Sequence, residues 1–241
     1  MENTTSTGNS VTIMEEPYAN HQPLSQQVRI LYSQSVTTFL FPPLAALCIA
    51  AILRDFADDR FLLVWLSIIL LHGLLRYYLL WCYFHSSDRE EHTDRWMNRF
   101  IITVFVSGIL WGFAGIFLIP YRSTGTIAFT LYNGLLLLTT CGLVAGAVIS
   151  YAINIGVLLC YSLPALLLPA FHLISIGDRY NTSFGGLLLL YHLYILIAAI
   201  RMNRQFVYFM NMEHQKQQLE QKYSNLKRIY EALRRRTPRA L

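Results

Sequence analysis

Six apolar blocks of about 20 residues dominate the chain, and they cover residues 35–53, 61–84, 100–119, 126–148, 153–174 and 184–206. The hydrocarbon core of a bilayer is about 30 Å thick, so a helix of about 20 apolar residues crosses it. Only 14% of the 241 residues are charged, against about 25% in an ordinary soluble domain. A soluble enzyme, a disordered protein and a disulfide-stapled secreted domain are therefore excluded. Membrane barrels show alternating strands of about ten residues instead. The sequence predicts an all-α membrane protein with six transmembrane helices.

The polar segments divide the chain into four parts. The first 33 residues are rich in Asn, Thr, Ser and Gln and are expected to be disordered. We predict a disordered cytoplasmic N-terminal tail over 1–33 and a six-helix transmembrane domain over 34–206. A cytoplasmic helix over 207–236 and a basic C-terminal end over 237–241 follow. Because the loops between the blocks are short, neighbouring helices should pack antiparallel.

The distribution of basic residues predicts the orientation. If both ends lie in the cytoplasm, 15 of the 19 Lys and Arg residues lie on the cytoplasmic side; the other four are Arg54, Arg60, Arg122 and Arg179. Cytoplasmic loops of membrane proteins carry an excess of Lys and Arg. We therefore expect a multi-pass protein of the bacterial inner membrane with both termini inside. Membrane lipid is its expected surrounding, and no nucleic acid partner is predicted.

The segment after the sixth block carries a heptad pattern. It contains neither Gly nor Pro from Arg201 to Thr237, so one helix is expected to continue out of the membrane. Apolar residues recur every seven positions, with aromatic residues three positions before several of them, as in a coiled coil. The pattern predicts a homodimer through Met212, Leu219, Leu226 and Leu233. An amphipathic helix lying on the anionic inner leaflet is the alternative.

Polar residues inside the apolar blocks are the candidates for ligand contact. His72 and Arg76 lie four residues apart and therefore on one helix face. Intramembrane polar groups usually face the interior of the bundle, as packing or ligand-binding residues. His192 lies at a depth similar to that of His72, a pattern also compatible with haem or metal ligation. Trp111 lies beside a small-residue stripe. We take these four residues as candidate ligand-binding residues and predict no catalytic residue, no cofactor and no metal.

Two blocks carry glycines at helical spacing. Small residues allow transmembrane helices to approach closely. The sequence therefore predicts helix-packing seams at Gly108, Gly112 and Gly115 in the third block and at Gly142 and Gly146 in the fourth.

Several of these features follow one another in a recognisable order. A basic loop ends in residues 95–100 (RWMNRF), and an SG..WG..G stretch spans 107–115. A glycine-rich block, a proline-containing block and a block continuing into a polar helix come next. Over residues 25–225 this order resembles the six-span N-terminal sensory region found ahead of bacterial histidine kinases and GGDEF/EAL cyclic-di-GMP enzymes. The resemblance implies a module that senses a signal and passes it through a helix to an output domain.

This sequence departs from that pattern at Leu241, where the output domain would begin. We therefore expect a stand-alone or truncated sensory module that acts on a partner, such as a cytoplasmic kinase or a cyclic-di-GMP output protein. The alternatives are a small transporter or channel component, and an intramembrane enzyme acting on lipid. No acidic residue lies inside any block and no internal repeat is evident, which disfavours a proton- or cation-coupled carrier. No nucleophile–base pair or acid cluster supports the enzyme, so we predict a non-enzyme.

Overall fold

The computed structural model describes residues 24–119, apart from 88 and 90, and residues 126–236. Within these ranges the side chains of 35–39, 126–127, 214 and 232–236 are left undescribed. The regular elements of the described ranges are all α-helices. They are α1 (Leu24–Leu53), α2 (Asp59–His85), α3 (Thr93–Phe117), α4 (Thr126–Tyr151), α5 (Ile155–Ile176) and α6 (Arg179–Arg236).

Side-chain caps and one glycine produce the short turns between helices. The Asp58 carboxylate accepts hydrogen bonds from the first turn of α2. The Asn154 side chain accepts from the backbone N–H of Val157 at the start of α5, at 3.3 Å. Gly177 ends α5 with φ +81°, a left-handed conformation that costs glycine little. Asp178 then caps α6. The Asn154 and Asp178 caps and Gly177 therefore allow tight turns between α4, α5 and α6.

Five of the helices are long and apolar enough to cross a membrane: α2, α3, α4 over Ala128–Tyr151, α5, and α6 within Arg179–Glu231. The predicted all-α class is confirmed, and five of the six predicted spans correspond to helices of membrane-crossing length. In α1 the fully described apolar part is Leu40–Leu53, which is shorter than the roughly 17–25 residues that a crossing requires. The sixth crossing therefore stays a prediction.

The predicted boundary of the N-terminal tail is wrong. Helix α1 begins at Leu24 rather than after residue 33, and Val28, Leu31 and Tyr32 are buried in the bundle. These residues lie at i, i+3 and i+4, so they form one short apolar face within a polar sequence. Residues 1–23 and 237–241 lie outside the described residues.

Aromatic rings join the helices at one end of the bundle. The rings of Tyr32 and Tyr83 stack at 4.0 Å between centroids, and Trp96 meets both edge-on. The Tyr32 hydroxyl donates a hydrogen bond to the Trp96 carbonyl at 3.1 Å. Nearby, the Asn154 amide donates to Gln27 Oε1 at 3.2 Å. The start of α1, the α2–α3 connection and the α4–α5 connection therefore lie together, and we call this the aromatic end.

Glycines of α3 bring its backbone against α5. A Cβ added at Gly108 or Gly112 would overlap a backbone carbonyl of α5, with the ring of Pro164 also against Gly108. A Cβ added at Gly115 would lie 2.8 Å from Cβ of Pro169. The small face predicted for the third block thus lies directly on α5. The candidate site lies beside this closely packed pair.

Candidate ligand-binding site

A cavity of about 540 Å³ lies among helices α1 to α5. Its volume falls within the roughly 300–1,000 Å³ typical of small-molecule sites. The described residues that line it are mostly apolar, with one arginine and a few hydroxyl groups: Phe41, Pro42, Arg76, Ser107, Thr139, Gly142, Leu143, Gly146, Ala147, Ile149, Ser150, Tyr151 and Tyr161.

Arg76 is the one charged side chain among the described lining residues, and it is only 8% exposed. Its Nη2 donates a hydrogen bond to the Tyr151 hydroxyl at 2.9 Å. The guanidinium carbon lies 6.0 Å from the centroid of the Phe100 ring, a cation–π contact. No described carboxylate forms an ion pair with Arg76. A guanidinium carries five N–H donors, and most of those of Arg76 have no partner among the described residues, so they can bind a ligand.

Polar groups gather around this arginine. Ser150 precedes Tyr151 in the chain, and the ring of Tyr161 lies 6.2 Å from that of Tyr151. Ser107 borders the cavity from α3. Ser107 and Ser150 are buried, and neither hydroxyl makes a hydrogen bond with another described residue. The cavity therefore has a polar part, located where α4 ends at Tyr151.

The rest of the cavity is apolar and follows α4. Its lining on that helix extends from Thr139 to Ser150, which corresponds to about 16 Å at 1.5 Å per residue. The rim includes Phe41 of α1 and Ile149 of α4, which are 62% and 66% exposed. In a membrane this exposed rim faces hydrocarbon. The cavity thus opens sideways between α1 and α4.

Gly142 and Gly146 lie on this open side. Both are exposed, and a Cβ added at either would meet no described atom within 4 Å. The predicted packing seam at these two glycines is therefore not present among the described residues. Their spacing matches that of Gly108 and Gly112, but no described atom lies close to them as the α5 backbone does to the first pair. They leave room in the cavity instead.

His72 and Trp111 lie next to Arg76 around a second, small void. This void of about 10 Å³ is bordered by the three residues together with the Pro42–Pro43 pair of α1, and it is about the size of one water molecule. The Nε2 atom of His72 is buried and has no hydrogen-bond partner among the described residues. Three of the four candidate ligand-binding residues thus share one location.

The fourth candidate, His192, lies elsewhere. It is buried on α6, and neither ring nitrogen has a partner among the described atoms. Helix α6 packs on α5 and α4 but not on α2 within the described part of the chain. His192 does not line the cavity with Arg76. No cluster of three His, Cys, Asp or Glu that suits a metal ion occurs among the residues described.

Two hydrogen bonds from Asn203 join α6 to the polar part of the cavity. The Asn203 amide donates to the carbonyls of Ala152 and Ile153, at 2.6 and 3.1 Å. These two residues directly follow Tyr151, the partner of Arg76. Sequence reasoning missed both Tyr151 and Asn203. The only signal available was an asparagine at the edge of an apolar block.

The part of α6 that extends beyond the bundle exposes apolar side chains in the single chain. Met212, Leu219 and Leu226 are 50%, 67% and 65% exposed, while the side chain of Leu233 lies outside the described residues. Lys216 and Glu220 pair across one helical turn at 3.9 Å. Met212, Leu219 and Leu226 thus form an exposed apolar stripe on a helix that continues unbroken from Arg179.

Comparisons with protein-family models, with curated proteins and with solved structures found no match. The function is therefore argued from the geometry of the cavity and of α6.

Proposed function

We propose that this chain is an inner-membrane sensory module. It takes up a membrane-soluble cue in the cavity and passes the change through α6 to a cytoplasmic partner. A kinase or a cyclic-di-GMP output protein is the partner that the family resemblance implies. In this proposal α1 completes a bundle of six spans, and both termini are cytoplasmic.

The observation that carries the proposal is the hydrogen-bonded path from the cavity to α6. Arg76 donates to Tyr151, and Asn203 of α6 holds the carbonyls of the next two residues, Ala152 and Ile153. A ligand that breaks the Arg76–Tyr151 hydrogen bond therefore changes the contacts of Tyr151. This residue directly precedes the two residues whose carbonyls accept hydrogen bonds from Asn203. Helix α6 then carries the displacement along its length.

The charge distribution supports the direction of the signal. The aromatic end includes the basic α2–α3 connection, and α6 runs from this end into its basic tail. The positive-inside rule assigns this end to the cytoplasm. The polar part of the cavity and Asn203 then lie near the cytoplasmic surface, close to any partner of α6.

A ligand signals only if it binds one of two conformations more tightly. The two proposed states differ in whether Arg76 bonds Tyr151 or the ligand. Breaking a buried hydrogen bond to a charged group costs about 1.5–3 kcal/mol. A shift of that size changes the ratio of two states by roughly ten- to a hundredfold.

The apolar stripe of α6 predicts a parallel dimer. In a background with the four native cysteines replaced by alanine, Leu219→Cys or Leu226→Cys should yield covalent dimers rapidly in membranes under mild oxidation, because d positions face each other across a coiled coil. Gln221→Cys, on the outer face of the heptad, is the matched control and should crosslink much more slowly. Equal rates at all three positions would rule out the stripe as the interface.

Relay through Asn203 is testable without knowing the ligand. Gly146→Leu places a bulky side chain in the cavity that Arg76 also lines, so we expect it to displace Arg76 from Tyr151 as a ligand would. Spin labels at cysteines introduced at Ser87 and Gln221, in the same cysteine-free background, report the position of the α6 tail. We expect Gly146→Leu to shift the distance distribution, and addition of Asn203→Leu to abolish that shift, because the hydrogen bonds to Ala152 and Ile153 are lost.

The matched control for this experiment is Gly134→Leu. Gly134 also lies on α4 with no described atom within 4 Å of an added Cβ, but it does not line the cavity. It should leave the distances unchanged. If Gly146→Leu shifts the distances equally with and without Asn203, the proposed path is wrong.

A further inference from the structure

We infer that the cavity binds a single-chain amphiphile with a carboxylate head group. The carboxylate pairs with Arg76 and the chain lies along α4. This inference names the cue of the proposed sensory site and therefore rests on that function.

The head group follows from the charge of Arg76, which pairs with no described carboxylate. A buried cation without a counter-charge is costly, and an anion that occupies the cavity removes that cost. A guanidinium matches the two oxygens of a carboxylate with two parallel N–H···O bonds. Ser107 and Ser150 add hydroxyl donors that no described residue engages. Tyr151 only accepts in its hydrogen bond with Arg76, so once Arg76 pairs with the ligand its O–H can also donate to the carboxylate.

A single negative charge fits better than a double one. Arg76 is the one cation among the described lining residues. A phosphate monoester carries a charge of about −1.5 to −2 at pH 7, and part of that charge would stay uncompensated in the buried site. A carboxylate carries one charge, which one arginine neutralises.

The chain follows from the shape and position of the cavity. The cavity is elongated along α4 over about 16 Å, is mostly apolar, and opens sideways past Phe41 and Ile149. A ligand that enters from the hydrocarbon is itself apolar over most of its length. A volume of about 540 Å³ suits a small molecule rather than a two-chain phospholipid. A free fatty acid combines these properties.

Equilibrium binding of tritiated palmitate to the full chain in phosphatidylcholine nanodiscs tests the inference, with empty nanodiscs giving the background. We expect saturable binding of one palmitate per chain. Unlabelled palmitate should compete, hexadecanol should not, and lysophosphatidic acid should compete weakly. Arg76→Gln should weaken binding at least tenfold, whereas Arg95→Gln, at an exposed arginine of α3 outside the cavity, should not.

A second pair of variants makes the test independent of any folding effect at Arg76. Gly146→Leu should weaken palmitate binding at least tenfold because it occupies the path of the chain, and Gly134→Leu should bind as the wild type does. Equal competition by hexadecanol, tighter binding of lysophosphatidic acid, or wild-type affinity in both Arg76→Gln and Gly146→Leu would overturn the inference.

The spin-label distances distinguish failure of the proposed ligand class from failure of the proposed sensory function. If palmitate fails to bind but Gly146→Leu still moves the α6 tail through Asn203, the ligand class is wrong and the sensory function stands. If palmitate binds through Arg76 but neither palmitate nor Gly146→Leu moves the tail, the ligand class stands and the sensory function fails.

Discussion

Gly112→Leu is expected to prevent the bundle from folding stably. The position of its Cβ is already occupied by the backbone carbonyl of Pro164, with Leu168 also in contact. Overpacking a core typically costs about 1–3 kcal/mol when side chains can rearrange. Here the obstacle is backbone, so α3 and α5 must separate along their contact, and we expect a loss of about 3 kcal/mol or more. The yield of monodisperse protein in mild detergent and the thermal denaturation midpoint measure the effect.

Gly134→Leu is the control for this variant, since it adds the same side chain to a membrane helix where space is open. It should keep the yield and the midpoint close to those of the wild type. A wild-type midpoint for Gly112→Leu would mean that α3 and α5 do not approach as closely as the structure has them.

The apolar blocks predicted the helices well because lipid leaves the backbone few choices. Every peptide group in hydrocarbon needs an internal hydrogen bond, so a long apolar block becomes a helix. The block at 61–84 corresponds to α2 (Asp59–His85) and that at 153–174 to α5 (Ile155–Ile176). The continuous helix expected after the sixth block is also present in α6, which contains no glycine or proline from Arg201 to Arg236.

The start of α1 was not predictable in the same way. Its buried residues Val28, Leu31 and Tyr32 are separated by polar ones, so the segment lacks the continuous apolar character that lipid demands. Its helix forms because Tyr32 packs on Tyr83 and Trp96, which lie far away in the sequence. Local composition carries no information about such contacts.

The two glycine pairs show that residue spacing does not identify the neighbour of a small helix face. Gly108 and Gly112 have the same separation as Gly142 and Gly146, and both pairs place a small face on a helix. Spacing defines the face but not its neighbour. The first pair lies on α5 and the second borders the cavity. Only the three-dimensional arrangement distinguishes a packing seam from the opening of a site.

The candidate site was predicted only in part, because the sequence shows which residues are unusual but not which residues they contact. Arg76 and His72 stood out as polar residues in an apolar block, and with Trp111 they do lie together. Tyr151 is 75 positions from Arg76 and Asn203 is 51 positions from Ala152. Neither pairing has a local signal. His192 had the same signal as His72 but lies on a helix that does not contact α2 within the described part of the chain.

Arg76→Met is expected to stabilise the ligand-free protein. A buried charge without a partner is costly, and replacing buried ionic groups with apolar ones of similar volume often stabilises a protein by about 1–4 kcal/mol. Methionine has a flexible side chain that fills irregular space. The loss of the bond to Tyr151 offsets about 1–3 kcal/mol of this gain, so we expect a modest rise of the thermal midpoint in delipidated detergent. Arg95→Met, at an exposed arginine, should leave the midpoint unchanged.

Palmitate should have the opposite effect on the thermal midpoints: it should stabilise the wild type but not Arg76→Met. A ligand present at 100 times its dissociation constant stabilises the form that binds it by about 2.7 kcal/mol. The wild type should gain this stabilisation and Arg76→Met should not, because the methionine has no charge to pair with the carboxylate. A residue that costs stability when the site is empty and contributes it when the site is filled acts in binding. If Arg76→Met instead lowers the midpoint by several degrees in the absence of palmitate, Arg76 holds the bundle together through Tyr151 and Phe100, and its role is structural.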